Sequence, residues 1–234
     1  MQGALLVDKP NGWTSFDVVN YVRRIIASSE GKKSKQVKVG HTGTLDPFAT
    51  GLLILLIGKE YTRRAGELSK ADKTYDVTMR LGETSTTGDP EGHITEQPTK
   101  EQPSLERLTA ALNSFVGQIE QVPPSFSAIK VDGQRAYKLA REGKAIVLAA
   151  RPVTIYEIKQ ISYEFPIVRF TTRVSSGTYI RTLVEDIGRL LECGAYTNEL
   201  RRTAIRDFTV ANSLAVETLT AELIYDHFQV LSIS

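Results

Sequence analysis

A chain of 234 residues suits one large domain or two small ones, and its formal net charge of +2 is too nearly balanced for composition alone to mark a nucleic-acid binder. Its one cysteine, Cys193, excludes an intrachain disulfide framework and fits a reducing compartment. The N-terminus reaches the charge of Asp8 before a targeting segment could form, and no apolar run could span a bilayer, so a soluble cytoplasmic protein is expected.

Gly3 to Asp8 reads as a short buried strand, ended by the turn Lys9-Pro10-Asn11-Gly12. Thr14 and Asp17 make a capping-box start for a helix with Val18, Val22, Ile25 and Ile26 on one face, ending near Ala27. Ser28 to Lys38 is polar, lysine-rich and without apolar period. It reads as a solvated connection before it reads as a phosphate-contacting arm.

The stretch that follows, Lys38 to Gly51, packs Gly40, Gly43, Gly51, His41, Asp46 and Pro47 between two apolar runs. Its glycines admit backbone angles closed to other residues and close approach of a ligand. Pro47 fixes its own φ and pushes Asp46 toward an extended conformation. Asp46 is therefore the first candidate for chemistry.

Leu52 to Ile57 is a continuous aliphatic run, expected for a strand buried on both faces. Thr74 to Leu81 alternates, with Tyr75, Val77, Met79 and Leu81 on one face, as a half-buried strand should. Gly82 to Gly92 reads as a polar loop, and Ser104 opens a helix with Leu105, Leu108, Leu112 and Phe115 inward. From Gln118 to Lys159 the flavour changes. Pro123-Pro124, a strand-like Phe126 to Val131, an Asp132-Gly133 turn and a short Tyr137 to Glu142 helix carry Lys130, Arg135, Lys138, Arg141, Lys144 and Arg151. Basic residues interleaved with Phe126 and Tyr137 are what a groove tracking an RNA backbone needs, and an ordinary solvated face reads equally well. Val168 to Val174 alternates again. Gly177-Thr-Tyr-Ile-Arg181 then leads into a helix with Ile180, Leu183, Ile187 and Leu190 at helical spacing, closed by Gly194. Ile205 to Val210 reads as a last strand and Leu219 to Phe228 as a last helix. This mixture, with little βαβ rhythm, predicts an α/β or α+β domain on a largely antiparallel sheet.

Three distant segments each offer an unusual group: Asp46, Tyr75, and Tyr179 with Arg181. A carboxylate kept ionised in a pocket needs a cation nearby, which Arg181 could be, and an extruded base needs a ring to stack on, which Tyr75 could supply. His41 could fill the gap that such a base leaves. Each also reads as structure: a loop cap, a core ring, an ion pair. Three histidines and one cysteine without ligand spacing make a zinc site improbable, and no phosphate-loop or dinucleotide fingerprint is present. A paired-carboxylate glycosidase built from Asp46 and Asp89 stays open, whereas a serine triad through Ser127 or Ser175 has no nucleophile-elbow sequence behind it.

Gly40-His-Thr-Gly-Thr-Leu-Asp-Pro-Phe-Ala-Thr-Gly51 resembles the catalytic motif of the TruB family of pseudouridine synthases. The resemblance extends to Asp8-Lys9-Pro10, Lys73-Thr-Tyr75, Pro123-Pro124 through Lys130 to Tyr137, Ser176 to Leu183, and Gly194 to Thr203. It implies the pseudouridine synthase fold as a single catalytic domain over residues 1–234, with an RNA-gripping insertion at about 118–152. It also implies an activity on uridine 55 in the T loop of tRNA, without cofactor or metal. Asp46, Tyr75 and Arg181 are then the catalytic set, and His41, Tyr179, Leu200, Lys9, Lys130 and Arg141 contact substrate. The partner implied is the tRNA T arm, bound by a monomer. Because the sequence stops at Ser234, it is expected to lack the C-terminal PUA domain of many relatives. Glu192 stands where relatives usually have glycine. Two other readings are a tRNA-binding or folding factor on the same scaffold and a guide-RNA-dependent synthase of the H/ACA type.

Overall fold

The computed structural model describes residues 2–99, 101–127, 129–131, 134–135, 139, 142 and 148–228. The chain divides into two compact units, residues 1–75 with 200–234, and residues 76–199.

In the first unit β1 (Gly3–Lys9) is followed by α1 (Ser15–Ser29), a single 3-10 turn at Ser34–Gln36, β2 (Val39–His41) and β3 (Thr50–Ile57). The predicted capping box is present: Thr14 caps α1 by accepting from Asp17 N, and Asp17 accepts from Thr14 N at 2.9 Å. Short helices α2 (Lys59–Arg63) and α3 (Ala65–Ser69) lead to β4 (Lys73–Leu81), which continues into the second unit. β1 and β3 pair antiparallel from Gly3 opposite Ile57 to Lys9 opposite Gly51. Alternate residues bury on opposite sides: Leu5, Val7, Leu53 and Leu55 meet Val18, Val22 and Ile26 of α1, while Leu6, Leu52, Ile54 and Leu56 meet Leu68 and Ile205. Each fully buried aliphatic side chain contributes about 1.5–3 kcal/mol, so this aliphatic pair of strands is a stiff base for the loop between β2 and β3.

In the second unit β5 (Glu83–Ser85) pairs with β6 (Ile94–Glu96), so a polar hairpin with Ser85 and Asp89 buried stands where a loop was expected. Helix α4 (Leu105–Ser114) starts at the predicted cap, Ser104, and buries Leu108 and Leu112; Leu105, expected inward, is exposed because it sits on the first turn. β7 (Gly117–Gln121), the short ladder β8 (Lys130–Val131) and β9 (Gln134–Arg135), and the long pair β10 (Arg151–Glu164) and β11 (Ile167–Val174) follow. The expected strand from Phe126 shrinks to Lys130–Val131, and the expected turn at 132–133 and most of the expected helix at 137–142 lie outside the described residues. α5 (Ile180–Leu190) buries Leu183, Val184 and Ile187, whereas Leu190 is exposed at its last turn.

β12 (Ala195–Ile205) returns the chain to the first unit, where β13 (Phe208–Thr209), β14 (Leu214–Ala215) and α6 (Ala221–Asp226) complete it. The expected strand from Ile205 is instead the end of β12, folded back onto β13 by a turn at Arg206 with φ of 50°. Strand order is β14-β1-β3-β12 in the first unit and β4-β11-β10-β7 in the second. β14 runs parallel to β1 and β12 parallel to β3, and β1–β3, β2–β3, β12–β13, β10–β11 and β10–β7 are antiparallel. The mixed, largely antiparallel sheet flanked by helices is the class the sequence predicts. Among the described residues no helix is long and apolar enough to cross a membrane.

Glu192, just after α5, sits at φ 59°, the left-handed region where a Cβ is penalised. Its side chain is 84% exposed and only 3.7 Å from Arg107, a contact worth little in water. Glu192→Gly is expected to raise stability by about 0.5–1 kcal/mol, seen as a melting temperature higher by about 2 °C.

Candidate active site

The loop that carries Asp46 is fastened from three directions within the first unit. From below, Lys9 is fully buried, and its ammonium donates to the carbonyls of Pro10 (2.8 Å), Trp13 (2.6 Å) and Pro47 (3.1 Å). Gly12 N adds a second bond to Pro47 O at 2.9 Å. From α1, the Ser15 hydroxyl accepts from Leu45 N at 2.8 Å and donates to Leu45 O at 3.1 Å. From β12, Arg202 is 1% exposed and donates Nε to Leu52 O (2.8 Å), Nη2 to Gly43 O (3.1 Å) and Nη1 to Thr44 O (3.4 Å). Buried charge of this kind is tolerable only when its protons are spent on acceptors, and here they are spent on the backbone on either side of Asp46. Asp46 itself is half-buried, and its carbonyl accepts from Ala49 N at 3.1 Å.

Of the motif glycines, Gly51 uses the freedom that glycine offers. Its φ is 104°, and a Cβ there would drive into the backbone of Arg202, its neighbour on β12. Gly40 and Gly43 have ordinary angles and room for a methyl group.

Lys9, expected to contact substrate, is therefore corrected to a brace, because an ammonium with three carbonyls around it and no exposed surface presents no proton to RNA. His41 ends β2 opposite Leu55 and is half-buried. Tyr75 and Leu200, on β4 and β12, are each 7% exposed. Arg201 makes a two-pronged pair with Asp8, at 3.0 and 2.6 Å, tying β12 to β1.

Lys73, two residues before Tyr75 on β4, donates to Ser69 O at 2.9 Å and to Ala71 O. Burial, with Arg202 as a second cause, brings its ammonium down to about 8 from 10.5. The unfolded chain then binds the extra proton between those values, so folding stability rises as pH climbs from about 8 toward 10.5. Keeping the proton at pH 7 costs on the order of 3 kcal/mol. Lys73→Met is expected to gain melting temperature at pH 7 relative to the native chain, with the difference shrinking by pH 10. Parallel thermal melts across that range check it.

Arg181 and Tyr179 lie in the second unit. Arg181, in the first turn of α5, is 4% exposed, with Nη1 2.7 Å from Thr87 O and 3.2 Å from the Asp89 carboxylate, and Nη2 2.8 Å from Phe126 O. Asp89, buried as deeply, also accepts from the Thr87 hydroxyl and from Glu91 N at 3.0 Å. A carboxylate so engaged is not the free acid that the paired-carboxylate alternative needs. Burial pushes the neighbouring Glu185 carboxyl up, against the pull of Arg181. Tyr179 precedes α5; its N–H donates to Gln121 Oε1 at 2.8 Å, and its carbonyl accepts from Gln121 Nε2 at 3.0 Å. Lys130 lies on β8, and Arg141 lies outside the described residues.

Sequence reasoning missed Arg202, Ser15 and the role of Asp89. Asp89-Pro90, flanked by Gly88 and Gly92, repeats the Asp-Pro signature of Asp46-Pro47 and could have been found that way. No group of side chains suited to holding a metal occurs among the described residues.

Two family models cover most of the chain: TruB family pseudouridylate synthase (N terminal domain) over residues 31–180, and tRNA pseudouridylate synthase B C-terminal domain over residues 181–230. The chain is 45% identical over 224 residues to tRNA pseudouridine synthase B of Cupriavidus metallidurans, covering 95% of this chain and 68% of that protein. To its namesake in Clostridium novyi it is 45% identical over 230 residues, with 97% and 75% covered. Among solved structures, a Cbf5-Nop10-Gar1 complex matches at TM-score 0.71 and 28% identity over 95% of this chain. An H/ACA RNP bound to a substrate RNA containing 2'-deoxyuridine matches at 0.67 and 25%. This chain spans about half of each of those chains, 55% and 54%. With a family model over well more than half of its residues and relatives well above 30% identity, the chain belongs to the TruB family of pseudouridylate synthases.

Proposed function

We propose that this chain converts uridine 55 in the T loop of tRNA to pseudouridine. The N-glycosidic bond between C1′ and N1 breaks, the uracil rotates, C5 bonds to C1′, and the C5 proton leaves as N1 gains one. Asp46 is the essential carboxylate, either attacking C1′ or removing the C2′ proton. Arg181 keeps it ionised, and Tyr75 stacks on the everted uracil. His41 fills the space the base leaves, and Tyr179 and Leu200 line the pocket. Lys130 and Arg141 grip the T arm. The chain acts in the cytoplasm as a monomer, without cofactor or metal.

The observation that carries the reading is the fastening of the Asp46 loop by Lys9, Ser15 and Arg202. A reacting carboxylate gains from being held in place before the substrate arrives, since the ordering entropy is then lost on folding rather than in the reaction. The relatives named tRNA pseudouridine synthase B support tRNA as the substrate, at higher identity than the Cbf5-containing structures.

The test is incubation with an unmodified T-arm hairpin, followed by carbodiimide-dependent primer extension. A stop at the T-loop uridine is expected. Tight binding without a stop would leave the chain as an RNA-folding factor, and a stop that requires an added guide RNA would place it with the guide-dependent synthases.

A further inference from the structure

A groove of about 650 Å³ runs along the outer side of α1, lined by Gly12, Trp13, Asp17, Asn20, Arg23, Arg24 and Ser34. Two of its lining residues are bonded to the segment that carries Asp46. Gly12 N donates to Pro47 O at 2.9 Å, and Arg23 Nη2 donates at 3.2 Å to the carbonyl of Val39, two residues before His41. Whatever lies in the groove therefore lies beside the reacting carboxylate's own segment, within one compact unit.

The segment that carries most of the groove's lining is basic. Residues 14–38 hold six basic side chains (Arg23, Arg24, Lys32, Lys33, Lys35 and Lys38) against Asp17 and Glu30, a net +4, in a chain whose total is +2. The other residues are thus net −2, and the overall balance conceals a basic face. Both acids are spoken for: Asp17 in the helix cap, where the Thr14 hydroxyl holds its carboxyl below the usual range, and Glu30 on Lys32 at 2.8 Å. Arg24, Lys33 and Lys35 are exposed.

The aromatic content favours a nucleic acid over an acidic protein as occupant. Trp13 is half-buried and held edge-on by Tyr21, 5.6 Å between centroids at 87°. Phe16 is 59% exposed, with the Arg23 guanidinium 6.0 Å over its ring. Accessible rings beside cations are the elements that bind a strand, bases stacking while phosphates meet the charges.

We propose that this groove is a second RNA-binding surface, taking a strand of the substrate RNA outside the T loop, with its phosphates on Arg24, Lys33 and Lys35 and a base against Trp13 or Phe16. The proposal rests on the reading of the chain as a tRNA-modifying enzyme, and it gives the lysine-rich connection the phosphate-contacting role that its composition left second.

The test uses the full chain and an unmodified tRNA transcript. Arg24→Glu combined with Lys33→Glu and Lys35→Glu is expected to weaken transcript binding by about tenfold or more and to make the salt dependence shallower by roughly two to three. The single-turnover rate at saturating enzyme is expected to stay unchanged. Trp13 is the only tryptophan, so transcript binding should also quench the protein's intrinsic emission. Unchanged affinity with an unchanged salt slope would overturn the proposal and leave the basic face to an acidic polypeptide. Absence of pseudouridine in the product would overturn the proposed activity while binding still reported on the groove, so the two failures are distinct.

Discussion

Asp46→Ala is expected to lower pseudouridine formation by about 10⁴-fold or more, measured as single-turnover conversion of an unmodified T-arm hairpin. The lost group is the only carboxylate in residues 38–51, and the proposed chemistry needs one to attack C1′ or deprotonate C2′. The acid that resembles it most, Asp89-Pro90, is committed to Arg181, Thr87 and Glu91. RNA affinity should stay within a few-fold of the native chain or rise slightly, since one negative charge near phosphates has been removed. The fold should also survive, because the fastenings at Pro47, Leu45, Gly43 and Thr44 are to the backbone. Conversion by the variant at even a hundredth of the native rate would remove Asp46 from the chemistry.

Breaking the pair between Arg181 and Asp89 should have the largest effect on stability. Both side chains are 4% exposed, so Asp89→Asn takes a carboxylate from beside a buried guanidinium. Removing one member of such a pair costs about 3–5 kcal/mol, or a fall of roughly 10 °C in melting temperature. Removing both charges with apolar residues of similar size, Arg181→Met with Asp89→Leu, should recover most of that loss, since the desolvation cost goes with the charges. Under the proposed function activity should not recover, because the cation assigned to keep Asp46 ionised is gone. A double variant that is stable and fully active would show that Arg181 serves the fold alone.

Where a local rule decided the structure, the sequence could be read. The Thr14–Asp17 cap, the aliphatic run of β3, the Ser104 cap and the alternation of β11 each follow from neighbours a few residues apart. β12 was hidden for the opposite reason. Its polar residues are satisfied by partners far away, Glu199 by Thr78, Arg201 by Asp8 and Arg202 by carbonyls beyond Gly43, so its burial follows no period. β10 was missed because its outer face is charged and its ladder is broken by irregularities between Ile155 and Glu157 and between Lys159 and Ser162. Lys9 and Arg202 show the same limit at the site. A lone cation reads as a surface residue until the tertiary structure surrounds it with acceptors.

The Arg202 clamp also sets an order of events during synthesis. Residues 43–52 leave the ribosome early, and the guanidinium that gathers their carbonyls is made some 150 positions later. A nascent chain can pair β1 with β3 and yet carry a loop that is not fully fastened, because domains acquire structure as their parts emerge. The loop is therefore fully fastened only once the chain has been made through β12.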